Sequence, residues 1–313
     1  MKTLQLITPD GWVNTWVPYY RRVFADWAVE VRDRPGPDTD VTLFMWADRV
    51  AKESINGRQR PDGRFIVVFV RRYELYDPTI TEINWANVDH LIVVNEYLAN
   101  KVAMVVKGRC PITVIPNSID PEAWPFTERT HGEQIAMVCS VHWKKNLPLA
   151  MQILARLPQH YTLHVAGAVQ TPELYDYLDV MGKAIKRTVY FHDMVPHDKI
   201  EWWLRDKQYI LSTSLSEGNP NNVLEAMACG LKPVVHGWPG AESQFPGFVF
   251  YTVDQAVMEI LPHEPYTSQR YRGLAIERFG LQNIERVKTI VEAGCEKQAL
   301  SGLAKQAALS TTS

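Results

Sequence analysis

The sequence predicts a layered α/β protein of two lobes, each a parallel sheet covered on both faces. Three observations carry this. Short apolar runs alternate with longer amphipathic ones along the 313 residues, the βαβα rhythm of an α/β protein. The apolar runs are uniformly apolar, as strands buried on both faces must be. A chain of 313 residues, at about 150 per domain, suggests two domains, and a proline-rich stretch lies near its middle.

In the first lobe, residues 1–120, strands are expected at Leu4–Ile7, Val29–Arg32, Val41–Trp46, Phe65–Val70, Leu91–Val94 and Thr113–Ile115. Helices fall between them, among them Tyr19–Trp27 and Tyr97–Val105. The segment IPNSIDPEAWPF then brings Pro116, Pro121 and Pro125 within ten positions. Proline fixes φ and resists helix and central strand, so this segment reads as an ordered linker. In the second lobe, residues 121–280, strands are expected at Ile135–Cys139, Thr162–Ala166, Val189–Phe191, Tyr209–Thr213, Pro233–His236 and Phe248–Tyr251. From Thr267 to about Ala307 the chain reads as polar helix. Residues 281–313 form a C-terminal helical segment whose return to the first lobe stays open.

Composition excludes several classes. Hydrophobic residues make up 46% and charged residues 22%, which is ordinary globular usage and not that of a disordered chain. Lys plus Arg is 33 against 35 Asp plus Glu, a net charge of −2, where a general nucleic-acid binder would be basic. No apolar run approaches the roughly 18 residues of a membrane helix. Pro9 and Asp10 cut short the apolar start MKTLQLITPD, too short for a signal peptide. The expected location is cytoplasmic, with the inner face of the membrane left open. Cys110, Cys139, Cys229 and Cys295 form no CxxC pair and read as reduced structural thiols.

The most informative segment is STSLSEGNPNNVLEAMACGLKPVVHG, residues 212–237. A strand ends, a polar loop follows, and a helix runs from about Asn221 to Cys229. Pro220 suits the first helical position and Asn219 the cap, while Gly230 suits the left-handed position after the helix. Such a unit aims a helix N-terminus into the crevice at the strand's end, where backbone N–H groups and the helix dipole favour an anion. Glu217 lies in the loop and Glu225 one and a half turns into the helix, leaning back toward its start. Both carboxylates can flank one ligand, and carboxylates accept well from paired sugar hydroxyls. A phosphate between two sugars suits the arrangement.

EGNPNNVLEAMACGLKPVV resembles the E-x7-E signature of glycosyltransferase family four, retaining enzymes of the GT-B fold. IAMVCSVHWKKNLPLAMQIL resembles that family's diphosphate-binding strand–loop–helix, VIPNSID its segment between lobes, VYFHDMVPHDKIEWWL its nucleobase-side loop, and RYRGLAIERFGLQNIERV its C-terminal helices. Several motifs in order are more specific than one short pattern. The resemblance implies two Rossmann-like lobes with a cleft between them and retaining transfer of a sugar from a nucleotide-sugar. It implies that Glu217 contacts the sugar and Lys145 holds the diphosphate, both counted catalytic. Gly218, Asn219, Pro220 and Asn221 approach sugar and phosphate, Glu225 accepts from the ribose, and the backbone near Met194 and Val195 meets the base. The chain departs from the pattern at Ser140, where the family has an arginine; Lys144 is the neighbouring cation. No metal or other cofactor is expected.

The acceptor side is less marked. Gly11 stands alone where the family often has a glycine pair, and Trp12 opens the aromatic stretch of residues 11–29. Core, acceptor cleft and membrane surface all stay open for that stretch. Arg72, Tyr73 and Glu74, with Arg71, end a strand and are acceptor candidates or rim ion pairs. Asp38-Thr39-Asp40 spells a metal-binding triplet but precedes its strand, and reads as loop. The expected partners are a nucleotide-sugar and a glycan, lipid-linked or small-molecule acceptor, with peripheral membrane contact open. Two alternatives remain: a non-catalytic sugar-nucleotide or glycan-binding protein, and another GT-B enzyme such as a phosphorylase or epimerase.

Overall fold

The computed structural model describes residues 1–8, 16–59 and 62–310, with side chains to residue 300. The chain forms two compact units, residues 1–118 with 281–313, and residues 119–280.

The first unit opens with β1 (Thr3–Ile7), α1 (Val17–Val23), β2 (Ala28–Arg32), β3 (Val41–Phe44) and α2 (Arg49–Asn56). It continues with β4 (Phe65–Val70), α3 (Thr79–Glu82), β5 (His90–Val93), α4 (Glu96–Val106) and β6 (Ile112–Val114). Every pairing is parallel, in the order β2-β1-β3-β4-β5-β6. β4, FIVVFV, is buried at all six positions, as its unbroken apolar run demands. Polar side chains start the helices: Asp48 accepts from Ala51 N and Asn95 from Leu98 N, each satisfying a first-turn N–H.

The helix expected over Tyr19–Trp27 is shifted. It starts at Val17, with Pro18 in its first turn, and stops at Val23, where Phe24 leaves helical geometry. Phe24 and Trp27 are both buried, edge to face at 5.6 Å, so packing these rings together outweighs another helical turn. Tyr19 and Tyr20 are buried with them. Of the described aromatics of this stretch, Tyr19, Tyr20, Phe24 and Trp27 are core, and Trp16 packs half-buried against them. Asp40 accepts from the backbone and hydroxyl of Thr3 at 2.7 and 3.0 Å, which ties the Asp38-Thr39-Asp40 loop to the start of β1.

The second unit contains β7 (Gln134–Val138), α5 (Leu147–Arg156), β8 (Thr162–Ala166), α6 (Pro172–Ile185), β9 (Val189–Phe191) and α7 (His197–Leu204). Then come β10 (Tyr209–Ser212), α8 (Asn221–Ala228), β11 (Lys232–His236), α9 (Ala241–Gln244), β12 (Val249–Phe250), α10 (Val253–Ile260) and α11 (Ser268–Phe279). The sheet is again wholly parallel, ordered β12-β11-β10-β7-β8-β9. The chain builds outward from β7 to β9, returns to β10 and builds the other way. This is the doubly wound order, and it reverses between β7 and β10. Apolar clusters cover the two faces, one under α7, α8 and α11, the other under α5, α6 and α10. The proline-rich segment is ordered: Ile119 and Trp124 are buried, and Arg272 donates to the Pro121 and Trp124 carbonyls at 3.0 and 2.8 Å.

The last helix, α12 (Gln282–Ser310), belongs to the first unit. Ile284, Val287 and Val291 are buried against Tyr20, Phe24 and Phe65. Among the described residues no helix is long and apolar enough to cross a membrane.

Candidate active site

Ligands of doubly wound sheets bind outside the carboxyl ends of the strands, where the winding reverses. In the second unit that place lies beyond β7 and β10. Two loops leave it side by side, residues 139–146 into α5 and residues 213–220 into α8. Asn146 makes the turn into α5 at φ +49°, a left-handed conformation asparagine tolerates better than most residues.

Two hydrogen bonds lock the loops together, and a third ties α8 to the end of β7. Thr213 Oγ1 donates to the Lys145 carbonyl at 2.7 Å, Leu215 N to the Lys144 carbonyl at 2.9 Å, and Asn222 Nδ2 to the Val138 carbonyl at 2.9 Å. On this frame Lys145 Nζ lies 2.5 Å from Glu217 Oε1. The two side chains are 27% and 13% exposed, so the pair is sheltered yet open to a ligand. Burial pushes the neighbouring Cys139 thiol up to about 12. It therefore stands protonated beside the pair and is no thiolate nucleophile.

The cap of α8 differs from the sequence expectation. Pro220, not Asn219, stands at the cap position, with no side-chain cap. The Asn219 amide instead donates to Gln244 Oε1, and Gln244 Nε2 donates to the Gly218 carbonyl at 2.8 Å. Both side chains are buried, and a buried amide is held by whichever partner satisfies it most fully. Gly230 has φ +92° just past the helix, the left-handed exit its position requires.

Glu225 is 8% exposed and takes a hydrogen bond from His197 Nε2 at 3.0 Å. His197 starts α7, and its ring meets Trp124 edge-on at 5.4 Å. The hydrogen bond to Glu225 raises its pKa. The two glutamates thus have separate basic partners, Lys145 for Glu217 and His197 for Glu225.

The structure brings Lys145, Glu217, Gly218 and Asn219 into one bonded group. Lys144 contributes its carbonyl while its side chain is exposed. Ser140 stays in the β7 loop beside Gly167. A Cβ on Gly167, at φ +157°, would lie 2.1 Å from the Cys139 carbonyl oxygen, so the two loops approach as only glycine permits. Met194 is 74% exposed, whereas Val195 packs on the apolar cluster under α7 and α8.

In the first unit Tyr73 is exposed and Arg72 half-buried. Glu74, expected as an exposed acceptor-side or rim group, is fully buried. Its carboxylate accepts from the backbone N–H of Arg71 at 3.2 Å and of Arg72 at 2.9 Å. Those N–H groups leave the end of β4 without strand partners, and the carboxylate satisfies them. Burial raises the Glu74 pKa. Gly11 and Trp12 lie outside the described residues.

Sequence reasoning missed His197, Gln244, Thr213 and Gly167. Each acts through a contact distant in sequence, and no local pattern marks any of them. The one available signal was the position of His197 after Pro196, at a helix start.

The sequence and fold of known proteins point the same way. Residues 132–259 match the family of glycosyl transferases group 1. That stretch holds β7, β10 and α8, and with them Lys145, Glu217 and Glu225. No curated protein sequence matches the chain. Among solved structures, the pneumococcal O-GlcNAc transferase GtfA, in complex with UDP and GlcNAc, is 14% identical with a TM-score of 0.64, over 88% of this chain. The match spans 59% of that protein's length. Anabaena HepE, in complex with UDP and glucose, is 12% identical with a TM-score of 0.69, over 93% of this chain and 100% of its own. The lipopolysaccharide outer core galactosyltransferase WaaB, in its apo form, is 13% identical with a TM-score of 0.66, over 94% of this chain and 99% of its own. The fold is that of GT-B glycosyltransferases, two Rossmann-like parallel sheets.

Proposed function

We propose that this protein transfers a sugar from a nucleotide-sugar to an acceptor hydroxyl, with retention of configuration. The observation that carries the reading is the Lys145–Glu217 pair at the β7/β10 reversal, one loop from the start of α8. The UDP complexes among the structural neighbours support a nucleotide diphosphate as the donor's leaving group.

In this reading Lys145 turns from Glu217 to the diphosphate, aided by the positive end of α8. Glu217, released, accepts from hydroxyls of the transferred sugar. Glu225, oriented by His197, accepts from the ribose. The bond between the anomeric carbon and the phosphate oxygen breaks and the nucleoside diphosphate leaves. The acceptor oxygen attacks from the same face, and its proton passes to the departing phosphate. Lys145 and α8 meet the diphosphate charge, so the proposal calls on no metal, and activity should survive EDTA.

A thermal-shift panel of UDP-, GDP-, ADP- and CDP-sugars tests the donor. One of them at 100 times its Kd should add about 2.7 kcal/mol of stability. Incubation of that donor with candidate acceptors should then release the nucleoside diphosphate and form a glycoside. Stabilisation by none of the four would overturn the proposal.

A further inference from the structure

The first unit holds a guanidinium that the donor chemistry does not use. Arg71 follows β4 directly, at the carboxyl end where parallel sheets bind ligands. Its guanidinium lies 3.9 Å from the Trp16 ring centroid, 4.9 Å from Phe69 and 5.4 Å from Trp46. Three rings thus hold one cation in place. Its side-chain hydrogen bonds go to neutral oxygens: Nε donates to the Met45 carbonyl at 3.1 Å, and Nη1 to Asn117 Oδ1. The nearby Glu74 carboxylate is spent on backbone N–H groups. Among the described residues, no hydrogen bond uses Nη2.

Arg71 lines a cavity of about 20 Å³, together with Tyr20, Asn117, Ser118 and Asn283. A cavity of this size admits one water-sized group. Its polar lining is hydroxyls, amides and a cation, set in an apolar wall that includes Trp16, Phe69, Ile115 and Ile284. Burial raises the Tyr20 phenol pKa, so it stays a neutral hydroxyl, and burial lowers that of Arg71 only to about 10. Arg71 therefore remains charged at neutral pH, and Glu74, the carboxylate that acts on it, makes its hydrogen bonds to backbone N–H groups rather than to the guanidinium. A half-buried guanidinium held among aromatic rings favours an oxyanion, whose oxygens match the geometry of its fork.

We infer that the Arg71 cavity is an oxyanion site, which receives an oxygen of a carboxylate or phosphate carried by the acceptor. The identification of the anion's carrier as an acceptor rests on the glycosyltransferase reading above; the anion site rests on the cavity alone. Neutral sugars lack the group that this cation is placed to meet, and the acceptor class is accordingly an anionic sugar or an anionic glycan.

Calorimetric titration of the full chain with glucuronate, glucose 1-phosphate, inorganic phosphate and glucose tests this. At least one of the two anionic sugars should bind ten times or more tightly than glucose, and the better of them identifies the carboxylate or the phosphate as the group read. Arg71→Gln should abolish that preference, while Lys145→Ala should keep it. Asn283→Asp supplies the cavity with its own carboxylate at the start of α12, where an acidic residue suits the helix, and should abolish the preference even if Arg71→Gln folds poorly. Equal binding of anionic and neutral sugars overturns the site. So does an anion preference that survives Asn283→Asp, or one lost in Lys145→Ala. Binding of inorganic phosphate alone, with neither anionic sugar bound, overturns the acceptor assignment. UDP should bind Arg71→Gln as it binds the unaltered chain; failure of UDP to bind either protein overturns the donor reading and leaves the anion site standing.

Discussion

At the residue scale, the two adjacent lysines differ in position more than in chemistry. Lys145 is half-buried on Glu217, whereas the Lys144 side chain is exposed. With Ser140 where an arginine would stand, Lys145 is the side-chain cation the donor reading relies on. Removing one such group typically costs about 2.7–4 kcal/mol of barrier. Lys145→Ala should reduce transfer at least a hundredfold with the fold intact by circular dichroism, and Lys144→Ala should leave it within a few-fold. The opposite ranking in a steady-state assay would put the diphosphate on the wrong lysine. His197 gives a second residue-scale prediction. Its pKa is raised in the folded chain by the bond to Glu225, so the bond's stabilisation is present below the unfolded value of about 6.5. It is lost as pH rises through the raised folded value. The Tm difference between the unaltered chain and His197→Ala should therefore be largest near pH 6 and shrink toward pH 8. A difference that grows with pH would show that His197 does not act as a protonated partner of Glu225.

At the element scale, the loop before α8 is held from outside its own helix. Gln244 on α9 bonds the Gly218 carbonyl and the Asn219 amide. A local cap would have fixed the helix end alone, while this brace also fixes the loop that presents Glu217. Gln244→Ala removes two buried hydrogen bonds, each worth about 0.5–1.5 kcal/mol. It should lower the Tm and, because Glu217 then wanders, weaken donor binding as well. Calorimetry with the nucleotide-sugar found in the panel separates the two effects. A lower Tm with unchanged donor affinity would confine Gln244 to a structural part.

At the scale of the whole molecule, α12 completes the unit in which the chain began. Ile284, Val287 and Val291 are each at most 3% exposed. Burying such a side chain contributes roughly 1.5–3 kcal/mol, so the three together approach the whole stability of a typical domain, about 5–15 kcal/mol. A chain cut after Gly280 should lose the folded first unit, since its core would face water along β4 and α1. Residues 119–280 keep their own two apolar clusters. Limited proteolysis of that truncated chain should leave a fragment near residues 119–280, and digestion of both units at equal rates would contradict the division.

The sequence by itself determined the layered α/β class, the parallel strands and the place of the strand–loop–helix around Glu217. Strands buried on both faces must be apolar throughout, so a strand such as β4 is written locally; β4, β8 and β9 lie where the pattern puts them, and the other strands have ends shifted by one or two residues. Tertiary structure alone decided where α1 stops, because the choice lay between another helical turn and the packing of Phe24 on Trp27. It decided that Asn219 serves Gln244 rather than the helix end, that Glu74 turns inward to its own backbone, and that His197 stands beside Glu225. It also decided that Arg71 lies among three aromatic rings and neutral oxygens. Each of these is a competition for a partner far along the chain, and a hydrogen bond or ring contact between distant residues leaves no period in the sequence by which to read it.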